Sequence, residues 1–288
     1  MKSFFPGVLL LLSATAMAQP APDRSLERTP RNHNDSFICH HSFSPKGQFY
    51  FGFGYNKEWY TKSNIHVKDE SGDYDFVLHG MTAKDRPQFN EIFRVAISIP
   101  QYGYRFGYWL PSSRFGIELN FDHAKYVVDE YQTVKLTGRI EDKIYDQDTL
   151  VDPLTFFDME HTDGANFLLL NLMFRKPLVQ KKFLHVSAVA KVGGGIVIPR
   201  TDVTLFGQRW NHCFHVAGQV AGIETGMRIE LLKYFWIEPT VKGVFANFNS
   251  VLAIDDVLIS HRFGAFMVLA HAGFQFPLGK VHKGRLPR

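Results

Sequence analysis

Beyond its first residues the chain has no unbroken apolar run approaching the ~18 residues of a membrane helix, which excludes helical membrane spans. Charge of one sign is also scarce. A formal net charge of +4 over 288 residues gives no argument for a nucleic-acid partner. No Gly-rich phosphate loop follows a strand, and neither GxSxG nor HExxH occurs; Gly193-Gly194-Gly195 ends a strand before a loop and reads as a bend. No cofactor is implied. Only two cysteines are present, in "CHH" (Cys39, His40, His41) and "HCFH" (His212, Cys213, His215). Zinc favours such ligands, but the spacing matches no standard metal motif, so no metal site is assigned.

What the chain does have is a folded composition, 45% hydrophobic and 21% charged, with 27 Phe, 11 Tyr and 23 Gly. Aromatics and glycine together favour strands with tight packing or bends. The start, MKSFFPGVLLLLSATAMAQ, has a basic Lys2, an apolar Val8–Leu12 and an A-x-A site at Ala16–Ala18. It reads as a secretory signal peptide over 1–18, with an uncleaved anchor as the alternative. Residues 19–46 read as a mobile periplasmic tail, 47–279 as the folded body and 280–288 as a basic C-terminal tail.

From Gln48 onward, apolar residues recur at every second position. "QFYFGFGY" sets Phe49, Phe51, Phe53 and Tyr55 on one face, and "QYGYRFGYWL" does the same with Tyr102, Tyr104, Phe106, Tyr108 and Leu110. "RFGIELNFDH" places Phe115, Ile117, Leu119 and Phe121 opposite Gly116, Glu118, Asn120 and Asp122. Five more such stretches follow, near 165–175, 183–193, 218–231, 235–245 and 266–276. The connections alternate between short gaps, as at Pro111–Ser113, and long ones at about 57–98, 127–165, 197–214 and 249–261.

Sorted loops and an even strand count predict an all-β fold: an antiparallel up-and-down transmembrane β-barrel with short periplasmic turns and long extracellular loops. Eight strands are expected. Ten remain possible, because "NIHVKDESGDYDFVLHG" contains its own hairpin around Ser71-Gly72. In this reading the apolar faces meet lipid. Arg105, Arg175, Lys191, Arg228 and Lys242 then share the interior with Glu118, Asp122, Glu224, Glu230 and Glu238, in numbers that allow pairing. Pro239, on the lipid face, removes a ladder donor and predicts a bulge or a strained register. A soluble secreted β-sandwich is the competing architecture.

Over residues 48–277 the chain resembles the small outer-membrane β-barrels of Gram-negative bacteria, the OmpA/OmpX-like eight-stranded families. The likeness rests on the signal, the alternating strands, the sorted loops and a terminal strand ending in Phe274-Gln275-Phe276. It implies residence in the outer membrane, contact with its lipid and lipopolysaccharide, and insertion by barrel-assembly machinery that reads a final aromatic. Here Pro277–Arg288 follow that aromatic, a departure from the pattern. The resemblance leaves function open among structural anchors, loop-mediated binding of an extracellular ligand or protein, narrow pores and lipid-modifying enzymes.

Two constellations bear on an enzyme. His185-Val186-Ser187 is similar to the His-x-Ser of PagL-type lipid A deacylases, which would make His185 the base and Ser187 the nucleophile. Its depth, just after a short periplasmic turn, opposes a substrate in the outer leaflet. Asp122 and His123 end one strand at the opposite rim, and Glu160 and His161 precede the next, so the four are candidates for an acid–base or metal site. Polar lining and rim anchoring are the plainer readings of both. A Cys39–Cys213 disulfide is the usual expectation for an exported protein, but the topology sets the two on opposite sides of the membrane. The expected function is non-enzymatic: a barrel plugged by paired charges, with long loops free for structural or interaction roles.

Overall fold

The computed structural model describes residues 44, 46–69, 71–86, 101–161, 163–254 and 257–278. The signal peptide, the 280–288 tail and nearly all of 19–46 lie outside them. Where the described chain begins, Ser44 is fastened: its hydroxyl donates to the Leu278 carbonyl at 2.8 Å, and its own carbonyl accepts from Ser112 N at 3.0 Å.

Among the described residues seventeen strands follow in chain order. They begin with β1 (Gln48–Tyr60), β2 (Ser63–Asp69), β3 (Tyr74–Met81), β4 (Ala83–Lys84), β5 (Tyr102–Trp109) and β6 (Phe115–Asp122). Next come β7 (Val127–Val128), β8 (Thr133–Ile140), β9 (Lys143–Leu150), β10 (Phe157–Glu160), β11 (Phe167–Gln180) and β12 (Leu184–Val197). The last are β13 (Asp202–Leu205), β14 (Gln208–Asn211), β15 (Gly218–Leu231), β16 (Phe235–Leu252) and β17 (Val257–Pro277).

Eight of these form a ring in the order β1-β5-β6-β11-β12-β15-β16-β17, every neighbour antiparallel. The ring closes where β17 pairs with β1, from Gln48↔Pro277 to Tyr60↔Ala265. The eight are the stretches whose alternation is visible in the sequence. The ten-strand alternative fails, because the β2–β3 hairpin attaches outside the ring, to the upper end of β17 between Val257 and His261.

Exposure separates the two faces. On β6, Phe115, Ile117 and Leu119 are 58%, 45% and 47% exposed, whereas Glu118 and Asp122 are 1% and 0%. Phe51, Phe106, Leu172, Ile223, Phe245 and Phe274 continue the exposed apolar wall around the ring. A soluble monomer rarely shows an apolar patch beyond a few hundred Å². A continuous wall of this kind over a charged interior fits lipid and rules against the sandwich.

Pro239 departs from expectation. Pairing of β16 with β15 lapses beside it and resumes in the same register, Gly226↔Thr240 before and Ile229↔Ile237 after. Two ladder positions are lost without a bulge. Within the ring the register shifts fall elsewhere, at Pro177/Val179 and at Phe248/Val251.

The long loops are themselves folded. Above the ring, β2, β3, β8 and β9 extend the main sheet from β17, while β14-β13-β10-β7-β4 form a second sheet. Together they enclose an apolar core that includes Ile65, Phe76, Leu136, Phe157, Val203 and Phe248. That core runs down into the upper ring through Leu169, Val244 and Met267.

Candidate functional site

Because the side-chain period of a strand is two, each ring strand carries its inward positions from one level to the next. On β16 these read Trp236, Glu238, Thr240, Lys242, Val244, Ala246 and Phe248, all buried. The interior therefore has an aromatic floor near the short turns, a charged middle and an apolar top.

In the floor, the Arg228 guanidinium lies 4.1 Å from the ring centres of both Tyr50 and Trp236, and Arg175 lies 4.3 Å from that of Trp109. Such stacking suits a planar, weakly hydrated cation. Glycines opposite make the room: a Cβ at Gly52 would overlap the Trp236 ring, and one at Gly107 the Tyr50 ring.

In the middle, Lys191 Nζ donates to Glu118 at 3.0 Å and to Glu238 at 2.6 Å, and stands 3.2 Å from Glu224. Arg228 donates to Glu238 at 2.8 Å. Arg105 donates to Asp122 at 2.7 Å and lies 3.6 Å from Glu224. Lys242 donates to Asp122 at 2.6 Å and also to Asn120. Arg175 and Glu230 complete the chain of pairs at 3.7 Å. Five cations thus meet five carboxylates in a continuous network. Burying a lone charge costs several kcal/mol, so a network of this kind persists only when matched.

The rim candidates separate. Asp122 turns into the network toward Arg105 and Lys242. His123 bonds through Nδ1 to Asn166 Oδ1 at 2.9 Å and stacks on Tyr102. Glu160 accepts from Arg86 at 2.7 Å. His161 enters the lobe core, with Nδ1 2.9 Å from Thr201 Oγ1 and Nε2 3.2 Å from His261 Nε2. Phe248 stacks on both imidazoles, and Tyr126 and Phe263 pack beside His261. Burial pushes both histidines below their ordinary range, His261 to about 3, and for His161 the same-sign charge of His261 and His215 adds to it. Among the described residues no group of three or more His, Cys, Asp or Glu is arranged to hold a metal ion.

At the short-turn end, His185 Nδ1 lies 3.8 Å from Glu230 Oε2. Both line a cavity of about 100 Å³ with Ser187, Gln48, Arg175 and Gln275. Cys213 is an exposed free thiol, and Cys39 lies outside the described residues.

No protein-family model matches the chain, and no curated protein sequence matches it. Solved structures do. OmpT, the outer membrane protease from Escherichia coli, aligns over 82% of this chain and 98% of its own, at 8% identity and a TM-score of 0.36. The N-terminal β-barrel domain of Pseudomonas aeruginosa OprF aligns over 80% and 98%, at 10% identity and 0.32. Ail, the attachment invasion locus protein of Yersinia pestis, aligns over 80% and 99%, at 12% identity and 0.30, in a complex with the heparin analogue sucrose octasulfate. Similarity at this level concerns the fold and says nothing about activity.

Several interior residues escape a search for charged pairs. Tyr50, Trp109, Met173 and Trp236 form the aromatic floor. Their signal was parity: Trp109 continues Arg105 and Gly107, and Trp236 leads into Glu238 and Lys242. His261 has no such signal, since its partner is 100 positions away.

Proposed function

We propose that the chain is a sealed barrel in the outer membrane of a Gram-negative bacterium, whose folded extracellular lobe serves a structural or binding role. One observation carries this reading: the interior is filled from floor to top, by ion-paired side chains and then by apolar packing continuous with the lobe. Eight strands leave room mainly for side chains. Conductance in planar bilayers is expected to stay near the baseline, and a large, stable single-channel current would overturn the proposal. Lipid A from cells with and without the protein should give the same acyl pattern by mass spectrometry. A pattern that changed, and reverted with Ser187→Ala, would favour an enzyme at the short-turn mouth instead.

The orientation has its own test. In a Cys39→Ser background, Cys213 is expected to react with a membrane-impermeant maleimide on intact cells. Labelling only after lysis would invert the barrel.

A further inference from the structure

On the outer wall, where β17, β16 and the β1–β2 link meet, Thr61, Lys62, Asn64, Phe245, Arg262 and Gly264 line a groove of about 390 Å³. We propose that this groove binds the phosphate headgroup of a lipid in the leaflet facing the long loops. The proposal rests on the membrane reading above.

The first argument is position. Down the outward face of β17, exposed Arg262 gives way to Gly264 and then to the exposed ring of Phe266. Across the ladder, Asn247 pairs with Arg262 and Phe245 with Gly264. Trp59 packs against Phe266 at 5.9 Å. The groove thus straddles the edge of the apolar band, with cations above and rings where acyl chains would lie.

The second argument is pairing. The other cations around this lobe mostly have acid partners: Lys57 with Asp85, Lys84 with Asp129, Arg86 with Glu160, Lys135 with Asp146, Arg200 with Asp163 and Arg209 with Asp202. Among the described residues, Lys62 and Arg262 have none; Arg139 and Lys143, at the β8–β9 turn and outside the groove lining, have none either. The neutral groups beside them are left as donors. Asn64 Oδ1 already accepts from Gly80 N at 2.8 Å, which leaves its amide hydrogens. Thr61 Oγ1 accepts from Gly264 N at 2.9 Å, which leaves its hydroxyl hydrogen. Two cations and two neutral donors, with no carboxylate among the lining residues, suit an anion rich in acceptor oxygens.

Native mass spectrometry of the full chain in detergent tests this, with diphosphoryl lipid A as the probe. One equivalent should be retained. The Lys62→Ala/Arg262→Ala double variant should lower occupancy at least tenfold, since each cation near a charged lipid surface contributes severalfold. Lys62→Arg/Arg262→Lys should keep most of it, and an equal concentration of inorganic phosphate should not displace the lipid. Retention by the double variant, equal retention of the dephosphorylated lipid, or displacement by phosphate would overturn the site. Heat-modifiable gel migration, run on every variant, reports the barrel separately. Its retention beside lost binding supports the site, and its absence in the parent chain would remove the membrane reading and the site together.

Discussion

Replacing Lys191 with Met is expected to lower the stability of the barrel by about 3–5 kcal/mol, the usual effect of removing one partner from a buried ionic network. The ammonium stands within 3.2 Å of Glu118, Glu224 and Glu238, so its loss leaves three buried carboxylates facing one another. Arg105 and Arg228 still attend them, but each is already engaged with a second acid, Asp122 and Glu230. Urea titration of the refolded barrel in vesicles measures the effect. Adding Glu224→Gln to Lys191→Met removes the excess negative charge and should recover a substantial part of the loss. If the double variant were as unstable as the single one, lost packing rather than unmatched charge would be the cause. A near-neutral Lys191→Met would mean that water enters the interior freely, and the sealed barrel would be wrong.

The second large effect is acid weakening of the lobe. His261, with a folded pKa of about 3 against an ordinary 6.5, is held neutral by burial, and burial is also the first cause that lowers His161. The unfolded lobe therefore binds more protons than the folded one between those values. The stabilising contribution is complete above about pH 6.5 and is lost as pH falls toward 3. At pH 5 this amounts to about 2 kcal/mol for His261. The groups facing the pair are Thr201, Tyr126 and His215, none of which supplies a negative charge at that pH. Hydrogen exchange of lobe amides between pH 7.5 and 4.5 should show protection falling there before it falls in β5, β6 and β11. His261→Phe should remove the His261 share of the dependence and leave that of His161; the ring already stacks on Phe248 and its Nδ1 makes no hydrogen bond, so the contact given up is the one from Nε2 to His161. An unchanged pH profile in that variant would acquit His261.

The ring was legible because lipid sharpens the signal. Phe115, Ile117, Leu119 and Phe121 must all be apolar on one face, while Glu118 and Asp122 find partners on the other, so period two stands out. Strand ends were less visible. In the sequence the alternation of β1 stands out only to Tyr55 and that of β17 only from Phe266, yet the strands run to Tyr60 and from Val257. Above the band the outward face is no longer apolar, as Ser260 and Arg262 show, and alternation fades. The second sheet was invisible apart from its loop lengths. Its strands β4, β7, β13 and β14 have two to four residues, too few to establish a period. The inner charges could be named from parity, but which acid meets which base depends on register and stagger. The grouping of Asp122 with His161 misled because proximity along two neighbouring strands says nothing of where loop residue His161 turns once the lobe encloses it.

Strand β17 belongs to both halves of the molecule. Its lower part seals the cylinder against β1, and its upper part pairs with β2, which has β3 on its other edge. The residues of β2, β3, β8 and β9 are synthesised well before it. Until β17 arrives, that sheet has an open edge where its anchor will be. The lobe sheet therefore lacks one edge partner until the last strand is made. A reagent that recognises the lobe only with that edge covered is expected to score chains whose last strand is in place and to pass over those that lack it.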